Sequence, residues 1–106
     1  MLIPTIANGK TYLANTDVSA HDTMSNGVVV SLSYFSTRNG ERFGPIRTAS
    51  TLSKPKTAGG QIAAQVFETL NVDTDAMIAE ATRLTAEFKA SGRDGWYPSV
   101  KLIERS

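Results

Sequence analysis

The sequence contains no cysteine. That absence removes disulfide staples, iron–sulfur ligation, thiolate zinc sites and cysteine nucleophiles, and it agrees with a reducing compartment. Histidine occurs once, as His21, so a transition-metal site would need mostly carboxylates. No two carboxylates stand at the helical i, i+4 spacing that would bring them together. No metal or cofactor is expected. No apolar run approaches the roughly 18 residues of a membrane span. The opening residues, MLIPTIANGK, lack both a basic start and the apolar run of roughly 7–15 residues that marks a signal peptide. A cytoplasmic protein is the expectation, with no membrane partner. Net charge is only +1, which makes no overall case for nucleic acid or a lipid surface. No repeat or low-complexity block is visible.

What is present describes a folded chain. Hydrophobic residues make up 41% of the 106 and charged residues 20%, a balance that favours a globular domain over disorder. The length suits one domain, residues 1–106.

A first strand is expected near Lys10–Ala14, after the turn signal Asn8-Gly9. Residues 16–27 (TDVSAHDTMSNG) read as a polar loop. The clearest strand follows, Val28–Ser36. Val28, Val30, Leu32 and Tyr34 alternate toward one face, which is apolar throughout and should meet the core. Asn39-Gly40 predicts a type I′ hairpin. With that pair at the turn centre, Phe43 and Arg47 share the face of Tyr34, so Tyr34 and Phe43 should be core and Phe35 free. Pro45 cannot donate to a ladder, which places the second hairpin strand at an edge or a bulge.

After the loop STLSKPKTAGG, the spacing of Ile62, Val66 and Leu70 predicts a helix from about Gly59 to Leu70. A second helix should begin at the N-cap Asp73, with Asp75 in its first turn and Val72 and Met77 as a hydrophobic staple. It should end at Ser91-Gly92. A last strand falls within Tyr97–Glu104. The order β-β-β-α-α-β predicts an α+β fold: a small antiparallel sheet of three to four strands with two helices on one face.

No catalytic set emerges. Ser19, His21 and Asp22 invite a triad reading, but triads are assembled from separate segments. A solvated loop histidine explains His21 better. Asp73 and Asp75 lack the glycine and glutamate that complete a calcium loop, and capping accounts for them. Lys54 and Lys56 precede a helix start, where free amides can hold an anion, yet the glycine–lysine order of a phosphate loop is missing. Trp96 and Tyr97, between Gly95 and Pro98, suit either an interface anchor or a plug closing the core.

Charge is segregated. Residues 1–36 carry net −1, residues 37–56 net +4, residues 57–92 net −3 and residues 93–106 net +1. The candidate interaction surface is therefore the basic hairpin and its following loop: Phe35, Arg38, Arg42, Arg47, Lys54 and Lys56. Asp75, Glu80 and Glu87 form a candidate acidic helical face, and Trp96 and Tyr97 a candidate aromatic anchor. A short cysteine-free α+β chain with no catalytic set is similar in style to small phage and mobile-element accessory proteins, including anti-CRISPR and other anti-defence inhibitors. Those share no common signature, so the likeness is analogy. The expected function is non-enzymatic binding of a larger protein or complex, as an inhibitor if the analogy holds. The alternative is a small nucleic-acid-binding domain using the basic hairpin, although pI is about 8.1 rather than above 9. A third is a subunit of an oligomer or particle, joined through an exposed edge strand.

Overall fold

A computed structural model describes residues 1–106. Six strands and two helices follow one another as β1 (Leu2–Ala7), β2 (Lys10–Asn15), β3 (Ser19–Asp22), β4 (Val28–Arg38), β5 (Glu41–Ser50), α1 (Ala58–Thr69), α2 (Thr74–Ala90) and β6 (Ser99–Lys101). The fold is α+β, and its sheet is antiparallel and curled into a half-barrel. The expected sheet of three to four strands is too small by two or three.

The two missed strands have clear physical causes. β1, LIPTIA, contains Pro4 and is apolar at both parities, so it has no strand rhythm. It forms because Asn8 (φ 50°) and Gly9 (φ 74°) turn the chain back onto β2, pairing Leu2–Ala7 with Lys10–Asn15. β3, SAHD, has a single apolar residue and reads as loop. Its ladders are non-local, to Val28–Ser31 of β4 and to Ser99–Lys101 of β6. His21 is therefore a strand residue rather than a loop histidine.

β4 is the spine. One of its edges holds β3 along the first half and β2 along the second; the other edge holds β5. Residues opposed in register share a face. Ala14 with Tyr34, and Ala20 with Val30 and Val100, thus lie on the face that the helices cover. The core joins them to Leu32, Ala49, Ile62, Ala63, Val66, Val72, Met77 and Ala81. Four of the sheet's contributions are alanines (Ala7, Ala14, Ala20, Ala49), none more than 1% exposed. Side chains that small let the helices approach closely, so the burial is dense despite few large residues.

Both helices begin as their sequences require. Thr57 caps α1, its hydroxyl accepting from the Gly60 amide, and Asp73 caps α2, accepting from Ala76. Val72 and Met77, the expected staple, are 1% and 0% exposed. One polar atom is left over. Thr85 faces inward from α2 at 3% exposure, and its Oγ1 has no hydrogen-bond partner. Thr85→Val keeps the shape and removes the stranded hydroxyl. Urea denaturation should show a gain of about 1 kcal/mol; a loss would mean that the hydroxyl is satisfied in solution.

The molecule is elongated. Its Cα radius of gyration is 14.7 Å, against about 13 Å for a compact chain of this length, and its extents are 49 × 31 × 24 Å. The excess comes from the far end of the β4–β5 hairpin. Residues 41–48 of β5 are all exposed.

Candidate interaction surface

Asn39 (φ 53°) and Gly40 (φ 80°) form the expected hairpin turn, with Arg38 opposite Glu41. The ladder then breaks. Ser36 faces Phe43 and Tyr34 faces Arg47, so residues 44–46 stand opposite Phe35 alone. Gly44 takes a left-handed φ of 86° there, and Pro45 lacks the amide a regular ladder would use. The bulge that Pro45 implied is present, and β5 is an edge strand.

This arm reverses the expected burial of two aromatics. Tyr34 is core, 6% exposed, and meets Tyr12 edge-on at 5.7 Å. Phe43 shares that face but is 48% exposed, because the helices do not cover the arm this far out. The Arg38 guanidinium lies 4.1 Å from the centre of its ring. Phe35, expected to be free, is 9% exposed, with Leu13 opposite it in register and the Arg42 guanidinium 5.0 Å from its ring centre. Phe43, not Phe35, is the arm's exposed aromatic. Ile46, in the bulge, is 65% exposed beside it in sequence.

Lys54 and Lys56 lie in the exposed loop leading to α1. That loop is tied to the β1–β2 turn. Asn8 donates its amide to Gln61 Oε1 at 2.9 Å and its Nδ2 to the Lys56 carbonyl at 3.5 Å. Thr37 in turn donates Oγ1 to the Thr11 carbonyl at 2.7 Å, fastening the arm to β2. Tertiary pairing thus adds Lys10 and Tyr12 to the surface. Sequence reasoning missed both, because only the β2–β4 register brings them beside the hairpin. The chain's ion pairs are those of Arg83 with Glu80 and Glu87. Lys10, Arg38, Arg42, Arg47, Lys54 and Lys56 all lack a carboxylate partner.

The acidic helical face is weaker than its composition. Arg83 donates Nε to Glu80 at 2.7 Å and a second nitrogen to Glu87 at 2.8 Å. The Glu80 hydrogen bond, then the nearby charges of Glu80 and Glu87, hold the guanidinium still more firmly protonated than usual. Two of the three acids are therefore already partnered, and Asp75 is left at the start of α2.

The two aromatics of the expected anchor sit differently. Tyr97 is half-buried, edge-on to Phe88 at 5.7 Å with the Lys89 ammonium 5.2 Å from its ring centre. Trp96 is 91% exposed and shares a shallow cleft with His21 and the 60% exposed Met24. The turn after β3 explains the triad-like residues. Asp22 Oδ1 accepts from the Met24 amide at 2.7 Å, and as His21's strand neighbour it points to the opposite face.

Comparison with family models finds no match to the sequence, and neither curated proteins nor solved structures yield a similar chain.

Proposed function

We propose that this chain is a small, non-enzymatic protein-binding module that seats its β4–β5 arm on a larger protein. One observation carries the reading: an uncovered arm bears two exposed anchors, Phe43 and Ile46, set among unpartnered arginines. Aromatic and arginine side chains at the centre of a patch are the composition of protein interfaces. Base stacking has little to use here, since Phe35 is buried and one face of Phe43 already carries the Arg38 guanidinium. Occlusion of a partner's working surface, as an inhibitor does, is the mode that a projecting arm suits. Self-association along the sheet is disfavoured by the same sequence. The two outer strands of appreciable length carry Pro4 and Pro45, and β5 adds a bulge and arginines.

The test is affinity capture from a lysate of the native host with wild type and a Phe43→Ala/Ile46→Ala variant. Both side chains are exposed, so stability should hold within about 0.5 kcal/mol. Retention of the captured partner should fall at least roughly tenfold. Equal retention by both proteins would refute docking through the arm. A salt-sensitive gel shift of DNA or RNA by the wild type would replace the reading with nucleic-acid binding.

A further inference from the structure

The helix-side face of the arm has a chemistry of its own. The β2–β4 register places Tyr12 opposite Ser36, and the β4–β5 register places Phe43 opposite Ser36 and Arg47 opposite Tyr34. Carrying the first register two residues outward puts Lys10 opposite Arg38. One uncovered face thus holds Lys10, Arg38 and Arg47 with Tyr12, Ser36 and Phe43. An open groove of about 640 Å³ runs along it, lined by Lys10, Tyr12, Ser36 and Arg47 among others, and no carboxylate lines it. Glu41 is the only acid on the arm, and it pairs with none of these cations. Their donors are unspent.

We infer that this groove receives an acidic, extended segment of the partner protein, rich in Asp or Glu. The inference rests on the docking reading above and names the chemistry of what is docked. Charge complementarity selects the occupant: Lys10 and Arg47 line a polar groove without a carboxylate partner, Arg38 stands on the same face beside them, and the arginine fork fits a carboxylate with two parallel hydrogen bonds. A polynucleotide fits less well. Tyr12, the one aromatic lining the groove, is packed edge-on against Tyr34, and Arg38 already stands over one face of the neighbouring Phe43, so little ring surface is offered to a base.

The probe is a fluorescent oligoglutamate peptide, titrated with the full chain at low salt. A single-stranded oligonucleotide of equal charge runs beside it. Saturable peptide binding is expected, weakening as salt rises, with amide shift changes concentrated at residues 10–12, 36–38 and 47. Lys10→Glu/Arg47→Glu should weaken it by at least about tenfold. Arg93→Glu, in the exposed segment between α2 and β6 and outside the groove lining, should leave it within about twofold. Both groove positions are exposed, so melting temperature should not move. Arg47→Gln, a milder change, should give an intermediate loss and guards against misfolding of the double variant. Absence of saturable binding, indifference to the groove substitutions, or tighter binding of the oligonucleotide would each overturn the inference. If the peptide fails while Phe43→Ala/Ile46→Ala still abolishes capture, the acidic occupant falls and arm docking stands.

Discussion

Gly60→Ala should lower stability by about 3 kcal/mol, and the adjacent Gly59→Ala should not lower it at all. Glycines one residue apart on α1 face different surroundings. A Cβ on Gly60 would lie 1.9 Å from the Lys54 carbonyl oxygen, 2.6 Å from its carbon and 3.0 Å from Pro55 Cα. All three are backbone atoms, so no rotamer change relieves the overlap. The Lys54 carbonyl is also held from two sides, by the Thr57 amide at 3.0 Å and the Thr57 hydroxyl at 2.7 Å. That hydroxyl in turn accepts from the Gly60 amide at 3.1 Å. Making room means either swinging the loop, which breaks these bonds, or lifting α1 from a core that includes Ile62 and Val66. Overpacking against fixed atoms costs about 3 kcal/mol at the upper end of its usual range. The melting temperature followed by circular dichroism should fall by roughly 15 °C. A Cβ on Gly59 meets Ser53 Oγ at 3.4 Å and the Tyr34 hydroxyl at 3.6 Å, which is ordinary contact. There alanine's better helix propensity should hold or raise stability by up to about 1 kcal/mol. Equal shifts in the two variants would contradict this account of the helix start.

The same glycines show what the sequence can and cannot disclose. Gly59-Gly60 after two lysines reads locally as a flexible loop or a weak anion site. That the second glycine is a packing requirement depends on how the Lys54 carbonyl folds back. Elements with strong local signals were legible: both helices within about a residue, the caps Asp73 and Ser91, the Asn39-Gly40 turn and the alternating face of β4. Elements stabilised by non-local ladders were not. β3 has no apolar rhythm and exists through β4 and β6, and β1 is masked by Pro4. For the candidate surface, the arginines and the bulge at Pro45 could be read directly. The exchange of roles between Phe35 and Phe43 could not, because alternation assigns a face and not the length of the layer covering it. Lys10 joined the surface only through the β2–β4 register, and Arg83 quietened the acidic face through i, i+3 and i, i+4 pairs already spelled out along α2.

The second large effect belongs to Asn71, where α1, α2 and the C-terminal segment meet. α1 closes with a Schellman motif. The Val72 amide donates to Phe67 at 2.9 Å and the Asn71 amide to Glu68 at 3.1 Å, which puts Asn71 in the left-handed region at φ 53°. In that conformation the Asn71 carbonyl accepts from the Arg105 amide at 2.9 Å, and its Nδ2 donates to the Arg105 carbonyl at 3.1 Å. The Asp73 amide, at the cap of α2, donates to Ile103 at 2.8 Å, and Arg105 Nε to Val72 at 3.1 Å. One backbone conformation therefore sets the angle between the helices and clips residues 103–105 onto it. Asn71→Val makes a β-branched residue adopt the left-handed region, at about 2 kcal/mol, and removes a hydrogen bond worth about 1 kcal/mol. The expected loss is about 3 kcal/mol, read as a lower urea midpoint with an unchanged slope. Asn71→Gly loses the same side-chain bond but gains a residue at ease with positive φ, so it should stay within about 0.5 kcal/mol of wild type. The contrast separates backbone from side chain: a valine variant as stable as the glycine one would mean that the left-handed turn is not what joins the helices. Loss of hydrogen-exchange protection at the Arg105 amide in the valine variant alone would show the clip opening with it.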